Sequence, residues 1–175
     1  MKRILVCADI SNLYYCIGKK FEGRRLNYET YVKSIRDLGE VQKMIAYGAQ
    51  LGKEANAFIH CLRKLGFETK YKAPRIFKNN LHTRRKADWD VGIAMDIVNA
   101  VEMKSIDMVI LGTADGDLMP CVEWAKARGV DVVVLACGIA RELKKSASAF
   151  IEIPESYLET VESVKKVVPK EAPIV

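Results

Sequence analysis

Arg3-Ile4-Leu5-Val6-Cys7-Ala8 runs straight into Asp9-Ile10-Ser11-Asn12, and much later Ile106-Asp107-Met108-Val109-Ile110-Leu111 runs into Gly112-Thr113-Ala114-Asp115-Gly116-Asp117. Each stretch is a short apolar run that stops at an acidic cluster, the pattern of a buried strand whose end carries polar chemistry. In open α/β sheets the crevice outside the carboxyl ends of the strands is where ligands sit. Carboxylates from strands distant in sequence therefore meet there when the strands are neighbours.

Between and around these stretches, strand-length apolar runs alternate with helical patterns, which predicts β-α-β units and a parallel sheet. Strands are expected at residues 3–9, 41–48, 67–75, 106–111, 130–137 and 150–153. Helices are expected after Asn12 as far as Lys20, after an Asn27 cap with Tyr31, Ile35 and Leu38 on one face, and at residues 53–65, 87–103, 117–128 and 139–147. Residues 78–85 read as a loop. With the first strand central, the strand beginning at Ile106 lies beside it at the topological switch point, and Asp9, Asp115 and Asp117 face one pocket.

The chain has 175 residues, half of them apolar, enough for one well-filled core and too few for two ordinary domains. Residues 1–153 read as that domain and 154–175 as an extension. In the extension Tyr157, Val161, Val164 and Val168 recur at helical spacing before Pro169 and Pro173. A helix packed on its own domain is expected there, with a homodimer contact as the alternative. No uninterrupted apolar run exceeds about seven residues, against the roughly 20 that span a bilayer, and a signal-peptide pattern is lacking, so a cytoplasmic protein with no membrane partner is expected. Five scattered cysteines without a Cys-x-x-Cys pair read as reduced, buried thiols.

Net charge is +6. Residues 70–86 hold seven basic side chains (Lys70, Lys72, Arg75, Lys78, Arg84, Arg85, Lys86) and no acidic one, with Tyr71, Phe77 and His82 between them. Cations for phosphates beside rings for stacking suit a nucleic-acid strand; a solvated basic loop is the plain alternative. This run leads into Asp88-Trp89-Asp90-Val91-Gly92-Ile93-Ala94-Met95-Asp96. Asp90 and Asp96 lie about 240° apart around a helix and about 9 Å along it, so they cannot serve one ion equally. Asp90 is the metal candidate, Asp88 the helix cap, and Asp96 either a deeper partner of the site or a structural acceptor.

Several ionised carboxylates in one pocket repel unless protons or a cation compensate. Mg2+ or Mn2+, a hard ion taking oxygen ligands and substrate phosphate together, fits that demand, and phosphodiester hydrolysis is the reaction it supports. Asn12 can orient a carboxylate, contact substrate or cap a helix, and Thr113 can donate into the pocket or close the strand end. Taken singly, Asp9 reads as a turn residue and Asp117 as a helix cap.

The order Asp9-x-x-Asn12, then Lys86 with Asp90 and Asp96, then Gly112-Thr113-Ala114-Asp115-Gly116-Asp117-Leu118-x-Pro120 resembles the three motifs of NYN domains, in particular the LabA-like branch of the PIN-like nuclease superfamily. The resemblance covers residues 3–153. It implies a three-layer α/β/α sandwich with a mostly parallel central sheet, PIN-like in topology. It also implies a metal-dependent ribonuclease site in which Asp9, Asp90, Asp115 and Asp117 form the acidic set, Asn12 stands beside them, and RNA is the partner. Thr113 replaces the Ser that the family often has, and the step from Lys86 to Asp90 is one residue long, which leaves Asp88 and Asp90 in competition. Arg84, Arg85 and Lys86 are the expected substrate contacts. A Rossmann dinucleotide site is disfavoured because residues 9–15 lack glycine. A haloacid-dehalogenase-like phosphatase needs a second Asp where Ser11 stands. A non-catalytic RNA binder on the same fold is the other alternative.

Overall fold

The computed structural model describes residues 1–49, 54–73, 75–79, 82–86 and 88–159. Six strands, β1 (Arg3–Asp9), β2 (Glu40–Ala49), β3 (Phe67–Lys72), β6 (Met108–Gly112), β7 (Asp131–Ala136) and β8 (Ala149–Glu152), form one sheet in the order β3-β2-β1-β6-β7-β8. Every neighbouring pair is parallel. The central strands are buried on both faces, as the unbroken apolar runs of β1, β6 and β7 require. The first strand is central and β6 lies directly beside it, with Ala8 opposite Gly112.

The helices α1 (Ile10–Lys20), α2 (Tyr28–Arg36), α3 (Glu54–Lys64), α4 (Asp90–Glu102), α5 (Met119–Lys126) and α6 (Arg141–Ser146) make the crossovers. Right-handed crossovers running outward from β1 in both directions place them in two layers. Tyr28 of α2 meets Phe58 of α3 edge-on at 5.4 Å on one face, while α4, α5 and α6 pack in succession on the other. The result is the expected α/β/α sandwich.

One glycine makes room beside the two central strands for a side chain from α2. A Cβ on Gly112 would lie 2.5 Å from the Tyr31 hydroxyl and 3.2 Å from the Ala8 backbone. The space it leaves lets the fully buried Tyr31 donate to the Leu135 carbonyl at 3.2 Å, tying α2 to β7.

Some boundaries differ from the sequence reading. Asn27 caps α2 as expected, but the helix ends at Arg36, so Leu38 is exposed rather than on its apolar face. The stretch expected to be one strand and a loop is a strand followed by a hairpin: β3 stops at Lys72, and β4 (Arg75–Asn79) pairs antiparallel with β5 (His82–Lys86). Ile76, Phe77 and Thr83 are strand formers whose preference the surrounding charges mask in a sequence reading. The helix expected from Asp117 begins as a single 3-10 turn, Gly116–Leu118, before α5.

Past β8 the chain returns to the domain: the Asn27 amide donates to the Tyr157 carbonyl at 2.8 Å, Leu158 bridges Leu26, and Leu158 is buried. The helical spacing at Val161, Val164 and Val168 lies outside the described residues. All five cysteines are unpaired; Cys7 and Cys137 are buried, whereas Cys61 is exposed, contrary to a uniformly buried set. Among the described residues no helix is long and apolar enough to cross a membrane.

Candidate metal centre

β1 delivers Asp9 to the carboxyl edge of the sheet, where the backbone turns into α1. Asp9, read as a plain turn residue when taken singly, is the cap of that helix: its Oδ1 accepts the Asn12 amide at 3.0 Å. Asn12 is thereby relieved of capping. Its own Oδ1 accepts the Ala114 amide at 2.9 Å and the Cys16 thiol at 3.6 Å, so it joins the first acidic turn to the second. Thr113 is fully buried; its hydroxyl oxygen accepts the Asp115 amide at 3.2 Å, which is the strand-end role rather than an exposed one. Asp115 in turn caps the 3-10 turn through the Asp117 amide at 3.1 Å, so the cap is Asp115 and the Asp117 side chain is left to the site.

The third contribution arrives on α4. Trp89, just before the helix, donates its indole N–H to the Gly48 carbonyl at 2.9 Å and packs on Tyr47 with ring centroids 5.6 Å apart. The Lys72 ammonium lies over the same indole, 4.3 Å from the ring centroid, and its Nζ donates to the Asp88 carbonyl. Asp88 Oδ1 accepts the Asp90 amide at 3.2 Å. These interactions pin the first turn of α4 against the end of β2, and Asp90 opens the helix there.

Carboxylate oxygens of Asp90, Asp115 and Asp117 all fall within 4.8 Å of one another. The strand-end carboxylates thus converge with that of Asp90 at the start of α4; Asp88 is not part of this group. Asp9, also expected in the acidic set, is not part of this trio at that distance; its Oδ1 is engaged in the cap of α1. It still feels the site: burial pushes its titration from 3.8 up to about 6, the amides of Asn12 and Ser11 oppose the rise, and the charges of Asp115 and Asp88 add to it.

Asp96 faces elsewhere, as the 240° offset requires. It accepts the Tyr47 hydroxyl at 2.6 Å and both its oxygens accept Lys70 Nζ at 2.8 Å, making a partly buried ion pair that fastens β3 to α4. Of the two readings open from sequence, the structural acceptor is the one these bonds describe. Lys70 and Lys72, counted among the cations of a substrate groove, are therefore committed to the scaffold. Arg84, Arg85 and Lys86 lie along β5, opposite Phe77, Ile76 and Arg75, and β5 leads by three residues into Asp90.

Trp89 and Tyr47 carried no signal as site residues in the sequence. The one trace of Trp89 is Gly92, where a Cβ would meet its ring at 2.8 Å.

The NYN domain family model matches residues 3–157. The chain belongs to the NYN domain family. Over 174 residues it is 26% identical to the Low amplitude and bright protein LabA of Synechococcus elongatus, a match covering 91% of this chain and 89% of that protein. A crystal structure of a Vibrio parahaemolyticus protein of unknown function superposes with a TM-score of 0.79 at 28% identity, covering 90% of this chain and 96% of that one. The NYN fold and its LabA-like, PIN-like character are thereby shown, and a nuclease-type function is what the family and the Asp cluster suggest.

Proposed function

We propose that this NYN domain is a divalent-metal-dependent ribonuclease that hydrolyses phosphodiester bonds of single-stranded RNA. The observation that carries the reading is the convergence of Asp90, Asp115 and Asp117, from α4 and from the loop after β6, within 4.8 Å. A donor set made only of carboxylate oxygens fits a hard ion such as Mg2+ or Mn2+ and fits a soft one poorly. Such an ion, when bound, supplies charge neutralisation at the scissile phosphate and a lowered pKa for water.

The protein's own residues then divide the work. Asp90, Asp115 and Asp117 would hold the ion. Asp9, whose carboxyl is pushed up by burial and by the Asp115 and Asp88 charges, adds a fourth carboxylate at the same strand edge. Asn12 and Thr113 position the Asp115 loop from below. Arg84, Arg85 and Lys86 bind phosphates of the RNA beside the helix that brings Asp90. Hydrolysis joins the oxygen of water to phosphorus, breaks one phosphorus–oxygen ester bond, and gives the departing ribose oxygen a proton.

The test is degradation of labelled single-stranded RNA by purified protein with magnesium or manganese. Asp115→Asn should cut the rate by about a hundredfold or more, as expected when one of a few essential charges is removed, with an unchanged circular dichroism spectrum. Wild-type protein that binds RNA and leaves it intact with either metal would refute the enzymatic reading.

A further inference from the structure

Asp115 and Asp117 are placed by the loop after β6, which Asn12 and Thr113 hold, whereas Asp90 reaches the same point on α4. Its placement has a different origin. Asp9 caps α1, Asn27 caps α2 and Asp115 caps the 3-10 turn, each with a side-chain oxygen that accepts an amide of the turn it starts. The residue in the cap position of α4 is Trp89, and its side chain gives the helix no such bond. The Asp90 amide is served from one residue earlier by Asp88 Oδ1, and the indole is turned to other elements.

That indole is gripped on several sides. Its N–H donates to the Gly48 carbonyl at 2.9 Å, and its ring packs on Tyr47, both near the end of β2. The Lys72 ammonium, from the end of β3, sits 4.3 Å from the ring centroid. The ring also lies back over the first turn of α4, where a Cβ on Gly92 would come within 2.8 Å of it. None of these partners is a carboxylate of the cluster, so the grip holds whether or not an ion is bound. Trp89 precedes Asp90 by one residue, and their Cα atoms are about 3.8 Å apart across a planar peptide. Turning the indole therefore carries the Asp90 carboxylate with it. A hard ion such as Mg2+ takes its oxygen ligands at about 2.0–2.1 Å in a demanding geometry, so a displacement of about half that length removes one of three carboxylates from its reach.

We propose that Trp89 is the positioning residue of the metal centre: the indole, locked to the Gly48 carbonyl, sets the distance of Asp90 from Asp115 and Asp117 and with it the affinity for the ion. The inference rests on the reading of those three carboxylates as a divalent-metal site, and it goes further by assigning metal affinity to a tryptophan outside the donor set. It holds whether or not RNA is the substrate.

The experiment reads Mn2+ binding to the full chain, without RNA, from the loss of the electron paramagnetic resonance signal of the free ion. Trp89→Phe keeps a ring beside Tyr47 and Lys72 but cannot donate to Gly48. It should weaken Mn2+ binding by about tenfold, and Trp89→Ala by up to about a hundredfold, the range expected when a group that supports a metal ligand is removed. Trp89→Phe decides the question by itself if the alanine variant does not fold. Val101→Ala is the control for helix stability: Val101 is buried on the same helix, about 16 Å along it from Asp90, so this variant loosens α4 and leaves its first turn alone. It should bind Mn2+ as the wild type does. Trp89→Phe with wild-type affinity overturns the proposal and spares the metal site. Equal weakening by Val101→Ala also overturns it, since the effect would then be one of helix stability. Wild-type protein that takes up no Mn2+ overturns the metal site itself and the proposal with it.

Discussion

Replacing Asp9 with Asn should change how the stability of the metal-free protein depends on pH. An ordinary aspartate titrates at 3.8 and Asp9 at about 6, raised first by burial and further by the Asp115 and Asp88 charges. Roughly two pH units separate the unfolded and folded values, which is about 3 kcal/mol at about 1.4 kcal/mol per unit. The folded state binds this proton more tightly than the unfolded state. The carboxylate is therefore a penalty on folding that is absent below the unfolded value and fully developed above the folded one, and stability falls as pH rises through that window. Asn keeps the helix cap, since its side-chain oxygen accepts the Asn12 amide as well as Asp does, but it cannot ionise. The variant should match the wild type near pH 4 and exceed it by up to about 3 kcal/mol near pH 8. At about 2–4 °C per kcal/mol for a domain of this size, that is a melting-temperature gain of about 6–12 °C. The assay is denaturant or thermal unfolding of both proteins in chelator across that pH range. Subtracting one curve from the other removes pairs such as Arg3–Asp107 and Lys2–Asp131, whose lowered carboxyls tilt stability in the opposite direction in both proteins. Parallel curves would refute the placement of Asp9 in a partly buried, negatively charged site.

Three other outcomes follow from the same geometry. Arg84→Ala with Arg85→Ala should lower the slope of log affinity against log salt by about 1.4 for single-stranded RNA, at about 0.7 for each phosphate that no longer has a cation beside it; equal slopes would remove β5 from the RNA surface while leaving the carboxylate cluster untouched. Asn12→Ala strips the Ala114 amide of its acceptor and should cost about 1 kcal/mol in unfolding, with a larger drop in RNA cleavage than in stability; a variant that cleaves at the wild-type rate would show that the tie between the two acidic turns is dispensable. Gly112→Ala forces a methyl to within 2.5 Å of the Tyr31 hydroxyl and should destabilise by about 1–3 kcal/mol, read as a lower denaturation midpoint at constant slope.

The sheet and its central pair of strands are written in the amino-acid order. Apolar runs such as residues 4–8 and 108–111 are too short for helices and too continuous for half-exposed strands, so they can be satisfied only inside a parallel sheet covered on both faces. Right-handed crossovers then leave few topologies, and acidic residues after β1 and β6 must meet at the switch point. The hairpin of β4 and β5 was not legible, because its charges obscure a strand preference that cross-strand pairing realises. The roles of individual polar residues were likewise settled only in three dimensions. Lys70 looked like one more groove cation until β3 placed it against Asp96, a residue 26 positions away. The cap of α1 is Asp9 and not Asn12, since an N-cap is decided by which side-chain oxygen reaches the free amides of the first turn. Trp89 became a site residue solely because Gly48 and Tyr47 of a distant strand receive it. Periodicity reports which face of an element is buried; it carries no record of which polar partner waits there, and that partner is supplied by tertiary packing.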